Sequence, residues 1–283
     1  MKILVPTDFS LESRYAAEFA CQLSQLTQVE INLLHIVEIP AMVIADPTGY
    51  TTPIAYDEAF VDNLIKQGEQ KLNEFAQAYA KCGVKHKVKV GNTYSSIVDW
   101  AKTHNADLIV MGTKGASGMK EFLVGSNAQK IVRRSPCPVL TLAERKDATQ
   151  IKNVVYATNN SEHSDYLLKG LCGLQTLFNA TIHMVRINTP NHFKADGSTL
   201  EILEKVAQHY KLQDYTVNTY NEEHEVKGIV AFAESKKADL IALGTHGREG
   251  LSRFLSGSLT EDLINHTQLP VWSCHFKSAK KHK

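Results

Sequence analysis

The sequence predicts an α/β protein of two tandem domains, each a doubly wound sheet of five parallel strands with helices on both faces. Three observations carry this expectation. The chain has 283 residues, about twice the usual domain length of roughly 100 to 200. It repeats itself, with Ala-Asp-Leu-Ile-Val-Met-Gly-Thr-Lys-Gly at 106–115 returning as Ala-Asp-Leu-Ile-Ala-Leu-Gly-Thr-His-Gly at 238–247, 132 positions later. Within each copy, strand-like apolar runs alternate with helix-like periodicity, the pattern of parallel strands joined by right-handed crossovers.

The first copy opens on Ile3-Leu4-Val5, a short apolar strand, followed by Ala16, Ala17, Phe19, Ala20 and Leu23 at helical spacing. The run 31–37 reads as the second strand, and an amphipathic stretch over about 56–82 as a helix that Gly83 is placed to end. Val88-Lys89-Val90 gives a third strand, and Ile97 with Ala101 marks a third helix. Leu108 to Met111 is apolar throughout, as a central parallel strand covered on both faces should be. Val139 to Leu142 closes the unit behind Pro136 and Pro138, which cannot extend the preceding helix.

In the second copy, strands are expected near 154–157, 181–186, 215–220, 240–243 and 271–274. The polar stretch 144–150 suits an exposed linker, so the domains are placed at 1–145 and 151–276. His35 is matched with His183 and Thr7-Asp8 with Thr158-Asn159. The first copy then carries extra residues, mostly within 39–53.

Bulk composition narrows the function classes. An apolar share of 43% and a charged share of 22% are ordinary for globular chains, and a net charge of +1 gives no electrostatic footprint for nucleic acid. Lys277, Lys280, Lys281 and Lys283 read as a solvated terminus. Five scattered cysteines without a C-x-x-C point to a reduced compartment, and no run approaches the 18 or so apolar residues of a membrane span. The N-terminus is too short an apolar stretch for a signal peptide, so a cytoplasmic location is expected.

In open parallel sheets ligands sit beyond the carboxyl ends of the strands. After the fourth strand the first copy reads Gly112-x-x-Gly115, nine residues, Gly125-Ser126; the second reads Gly244-x-x-Gly247, nine residues, Gly257-Ser258. Glycines there let a bulky anion approach the main-chain N–H groups. Ser126 and Ser258 stand at or near helix starts, whose free amides and dipole favour negative charge. Turn glycines with an N-cap serine would give the same letters once; unchanged spacing in two copies favours a phosphate cradle.

With its opening Val-Pro-Thr-Asp-Phe-Ser and a Leu-Leu-His-Ile-Val-Glu second strand, the glycine motif resembles the universal stress protein family in tandem form, over nearly the whole chain. The resemblance implies flavodoxin-like, Rossmann-like domains of strand order 3-2-1-4-5, ATP with Mg2+ as cofactor, and pairing of the two domains as an intrachain pseudo-dimer across the fifth strands. A homodimer and an unidentified protein partner are further implications. Asp8 and the backbone of Ile36 would recognise adenine, with Pro6 and Thr7 shaping the pocket. The ribose would lie against Met111 and Gly112, and the phosphates on Gly115, Gly125, Ser126, Asn127 and Ala128 beside Lys114.

The matching positions of the second copy are Thr158, Asn159, Met184, Leu243, Gly244, His246, Gly247, Gly257, Ser258, Leu259 and Thr260. Here Asn159 replaces the acidic residue and Ala157 the proline, so the second site ranks as the weaker.

Twelve histidines show no metal-ligand spacing, and His246 reads either as a phosphate contact or as a solvated loop residue. There is no Walker A motif, no G-x-G-x-x-G and no nucleophile elbow. Glu121 and Glu261 are expected to face solvent or cap helices, so no catalytic residue is assigned and any ATP hydrolysis would be slow. Three functions follow: a nucleotide-responsive stress or signalling module, a nucleotidyl-transfer or slow ATPase enzyme, and a structural adaptor binding a protein or apolar ligand through the apolar insert 39–53. For that insert, packing on the neighbouring domain is the plainer account.

Overall fold

The computed structural model describes residues 1–39, 43–45, 51–53, 57–113, 115, 124–158, 165–245 and 257–275. The first repeat runs β1 (Lys2–Pro6), α1 (Leu11–Leu23), β2 (Glu30–Val37), a small antiparallel hairpin β3 (Val43–Ala45) and β4 (Thr51–Pro53), α2 (Glu58–Gln77), β5 (Lys85–Val90), α3 (Thr93–Thr103), β6 (Leu108–Gly112), α4 (Ser126–Arg134) and β7 (Val139–Leu142). The second runs β8 (Asn153–Ala157), α5 (Asp165–Phe178), β9 (Thr181–Asn188), α6 (Asp196–His209), β10 (Tyr215–Asn221), α7 (Glu225–Ser235), β11 (Leu240–Thr245), α8 (Gly257–His266) and β12 (Val271–His275). The expected long helix stops at Gln77; a 3-10 turn over Ala80–Cys82 follows, ended by Gly83 at φ 63°. There the chain needs the left-handed backbone that glycine adopts without strain.

Apart from the β3–β4 hairpin, the described strands form one sheet of ten, in the order β10-β9-β8-β11-β12-β7-β6-β1-β2-β5. Each half is therefore a parallel sheet of order 3-2-1-4-5, the flavodoxin-like arrangement. The two sheets expected from the sequence are fused, because β7 and β12 pair antiparallel, with Leu140 opposite Trp272 and Thr141 opposite Val271. An exposed strand edge leaves main-chain donors and acceptors unpaired; here each fifth strand covers the other. The side-chain hydroxyls of Thr141 and Ser273 add bonds across the seam, to the carbonyls of Val271 and Val139.

Helices cover both faces and extend the two apolar layers across the seam. One layer holds Phe19, Leu72, Phe75, Leu171, Phe178 and Leu203, and the other Ile97, Trp100, Ile131, Ile229, Phe232 and Leu263. Phe19 of α1 meets Phe178 of α5 edge to face at 6.5 Å. Burying each such side chain contributes about 1.5 to 3 kcal/mol.

The linker is exposed at Glu144, Arg145, Asp147 and Gln150, as its polar sequence suggests, and is tethered as well: Arg145 pairs with Glu18 at 2.7 Å, Lys146 with Asp239 at 3.5 Å, and the Ala148 N–H donates to Gln22 Oε1 at 2.8 Å. Ala148, and Ile151 just beyond it, are fully buried. One sequence expectation is corrected here, the histidine match. Pro6 lies opposite Leu34 and Ala157 opposite Val185, so both strand pairs repeat at a spacing of 151. That register sets His35 against Arg186 and Ile36 against Ile187, and leaves His183 matching Asn32. A three-residue slip in a strand turns every side chain to the opposite face, and Met184 accordingly lies in the other apolar layer from Ile36.

Candidate functional site

The first repeat gathers its predicted residues beyond the carboxyl ends of β1 and β6. Thr7 is buried and held on three sides: its N–H donates to Leu34 O at 2.9 Å, its carbonyl oxygen is 2.9 Å from His35 Nδ1, and its hydroxyl lies 3.0 Å from Ser13 Oγ. The Phe9 N–H donates to that same hydroxyl at 3.1 Å. Phe9 takes φ 68°, a left-handed conformation that costs a bulky residue about 1 to 3 kcal/mol. Its ring is seated against His35 at 4.4 Å and Phe75 at 5.8 Å. This turn presents Asp8 at the surface, with Oδ1 accepting from the Ser10 N–H at 3.1 Å and the Ser10 hydroxyl at 2.5 Å. Ser10 in turn caps α1, accepting from the Ser13 N–H.

The glycines of the motif close against this turn. A Cβ at position 112 would lie 2.5 Å from Glu12 Cβ and 2.9 Å from its carbonyl carbon, so the first turn of α1 packs directly on the end of β6. At position 115 a Cβ would lie 2.8 Å from Asp8 Oδ2. At 125 it would lie 3.8 Å from the Gly115 nitrogen, and the Gly125 N–H donates to Thr113 O at 2.8 Å. Asp8, Gly115 and Gly125 thus surround one place.

Helix α4 begins there. Gly125 occupies its N-cap and has no side chain with which to cap it, and the first-turn amides of a helix point out of its N-terminal end. Those belong to exposed Ser126, half-buried Asn127 and buried Ala128. Pro6, Met111, Gly112 and Ile36 are buried at the carboxyl ends of β1, β6 and β2. Lys114 lies outside the described residues, as do Asn159, His246, Gly247 and Glu121.

The second repeat has the same scaffold with different chemistry. Thr158 donates to Val185 O at 3.0 Å, as Thr7 does to Leu34. Leu243 and Gly244 are buried at the end of β11, α8 starts at Gly257-Ser258, and Leu259 and Thr260 are buried in its first turn. Met184 does not reach the site; its side chain is fully buried in the apolar layer, and Ile187 stands where Ile36 does in the first repeat.

Arg186 was missed by sequence reasoning, although a lone arginine inside an apolar strand run was a legible signal. It is 5% exposed, donating through Nε to Asn188 Oδ1 at 3.3 Å and through Nη2 to His192 O at 3.1 Å. Asn188 in turn bonds Lys194 O through Nδ2. The strand end that carries His35 in the first repeat is therefore tied in the second to the segment following β9.

One more position separates the repeats. Glu38 caps α3, accepting from the Thr93 N–H at 2.6 Å, and that bond holds its carboxyl below the usual range. The spacing of 151 puts Thr189 there in the second repeat, where a cleft of about 450 Å3 opens between Thr189, His192, His224, Glu225, Asp262 and His266. Burial pushes the Glu225 carboxyl up to about 7, against the pull of Arg186.

Glu261 corrects the expectation of a solvent-facing or capping carboxylate. It lies 2.9 Å from Arg133 of the first repeat, an ionic contact without an aligned N–H, and burial raises its pKa. Among the described residues no three His, Cys, Asp or Glu are grouped to hold a metal, and no helix is long and apolar enough to cross a membrane.

Known proteins match this architecture throughout. The sequence model of the universal stress protein family fits residues 1–142 and again 150–275. A universal stress protein of Synechocystis is 24% identical over 289 aligned positions, covering 95% of this chain and 98% of its own length. One from Methanocaldococcus jannaschii is 30% identical over 147 positions, covering 51% of this chain and 83% of its own length. The crystal structure of a universal stress protein from Archaeoglobus fulgidus shares the fold, with a TM-score of 0.76 at 22% identity over 97% of this chain and 98% of that one. Two complete copies of one domain, each with its glycine turn after the fourth strand, place the chain in the universal stress protein family, in tandem form.

Proposed function

We propose that the chain binds ATP, with Mg2+ accompanying the phosphates, at the glycine turn of the first repeat, and that occupancy makes it a nucleotide-responsive stress or signalling module. The observation that carries this reading is the meeting of Asp8, Gly115 and Gly125, where even one methyl group at position 115 would crowd the carboxylate. In this reading Asp8 accepts from the adenine amino group and the Ile36 backbone lines the base, over Pro6 and Thr7. The ribose rests on Met111 and Gly112. Main-chain amides at Gly115, Gly125, Ser126, Asn127 and Ala128 take the phosphate oxygens, with Lys114 adding charge. Magnesium supplies charge neutralisation on the phosphates; the described residues offer it no ligand set of their own.

The second site, at Thr158, Asn159, Leu243, Gly244, His246, Gly247, Gly257, Ser258, Leu259 and Thr260, is the weaker in this reading, because Asn159 and Ala157 replace the Asp8 and Pro6 of the first. Hydrolysis is at most slow, since a cradle that holds the bound phosphates equally well before and during reaction does not speed the step. Any homodimer must use a surface other than β7 and β12, which already pair within the chain. Mass spectrometry of small molecules released from protein purified without added nucleotide tests the reading: ATP or ADP at a substantial fraction of one equivalent is expected, and an apolar ligand in its place would favour the adaptor.

A further inference from the structure

We infer that Asn265, in the second domain, is a positioning residue for the anion cradle of the first. This rests on the nucleotide reading above and adds to it where the cradle gets its rigidity. The Val124 N–H, one residue before Gly125, donates to Asn265 Oδ1 at 2.8 Å in a part-buried bond that spans 141 positions of sequence. Val124 itself is buried. The next N–H along the chain, that of Gly125, is bound to Thr113 O at 2.8 Å. Two consecutive amides at the entrance to α4 are thus fixed, one by the first domain and one by the second, and the amides that follow are aimed by them.

The side chain at the matching position of the first domain cannot do the same. Along the α4 and α8 segments the repeats match at a spacing of 132, so the residue of the first domain that corresponds to Asn265 is Arg133. A guanidinium has donors only and cannot accept a main-chain N–H. Arg133 instead faces Glu261 across the seam. The second domain therefore braces the turn of the first through Asn265, whereas the corresponding side chain of the first domain offers no acceptor in return. Part of the difference between the two sites lies outside the residues that would touch a nucleotide.

The test compares Asn265→Leu, which removes the acceptor, with Arg133→Met, which removes the neighbouring ionic contact and leaves the acceptor in place. Titration of the full chain with ATP and Mg2+ is expected to show affinity lowered about threefold to tenfold by Asn265→Leu, the loss of one ordering hydrogen bond, and unchanged by Arg133→Met. Melting temperatures separate this from general loosening of the seam. Amide exchange followed by NMR reads the tether without nucleotide. Val124 should lose protection in Asn265→Leu and keep it in Asn265→Asp, which retains an acceptor and serves as the reference if the leucine variant does not fold. Wild-type binding with unaltered affinity in Asn265→Leu, or Val124 protection equal in all variants, overturns this inference alone. Wild-type protein that takes up no ATP overturns the nucleotide reading and this inference with it.

Discussion

Gly115 and Asp8 stand so close that a Cβ on the glycine would fall 2.8 Å from the carboxylate oxygen Oδ2. A contact that short forces one partner to move, and Asp8 is anchored through its other oxygen to Ser10. Gly115→Val should therefore displace the carboxylate and fill the cradle. ATP affinity is expected to fall at least about tenfold, the loss of one or more charge-assisted contacts, while the melting temperature changes little because position 115 lies outside the apolar layers. Affinity equal to wild type, measured with the second turn disabled, would remove Gly115 from the site.

Gly112 is placed to fail differently. Its would-be Cβ meets backbone as well as side chain at Glu12, and backbone has no rotamer in which to retreat. Gly112→Ala should push the first turn of α1 off β6 and cost about 1 to 3 kcal/mol of stability, the usual range for overpacking. Urea denaturation reads this directly; a midpoint at the wild-type value would show that α1 yields without cost.

The seam between the domains should melt as a unit with the rest. Trp272 is 2% exposed, pairs with Leu140 across it and touches Gly170 of α5, where a Cβ would lie 3.0 Å from the indole. Trp272→Ala opens a cavity worth about 3 to 5 kcal/mol. Because both apolar layers run through the seam, calorimetry is expected to show one transition in the wild type, and its division into two in the variant as β7 and β12 part. Two transitions already in the wild type would contradict the continuous core.

How far all this was legible depends on whether the information was local. The repeat at 106–115 and 238–247 announced itself, and with it the division into two α/β units, because near-identical local sequences solve the same local problem; the strand order came only with the family resemblance. Gly83 ended its helix region as its position suggested. What escaped was relational. His35 and His183 looked equivalent because both sit in apolar runs, but a strand's letters do not state its register, and the sheet makes Arg186 the counterpart of His35 instead. The linker is exposed as its charge suggests, yet nothing local says that Arg145 and Lys146 find Glu18 and Asp239. Asn265 is one ordinary asparagine in a helix until the fold brings Val124 to it.

The two repeats should also differ in their response to pH. The Glu225 carboxyl is raised by burial to about 7, so between about 4.5 and 7 the folded chain binds more protons here than the unfolded chain. Stability from this group is then fully present at low pH and lost as pH rises through 7. Glu225→Gln should flatten that decline and raise the melting temperature above pH 7 relative to wild type, with little difference at pH 4.5. Parallel curves for the two proteins across this window would show that the carboxyl titrates normally.

Calorimetric titration of the intact protein with ATP and Mg2+ tests the central claim most directly. The account predicts saturable heat with about one strong site per chain, assigned to the first repeat by its loss in Gly125→Val. Absence of both heat and thermal stabilisation at millimolar ATP, where a ligand a hundredfold above its Kd would add about 2.7 kcal/mol, would contradict it.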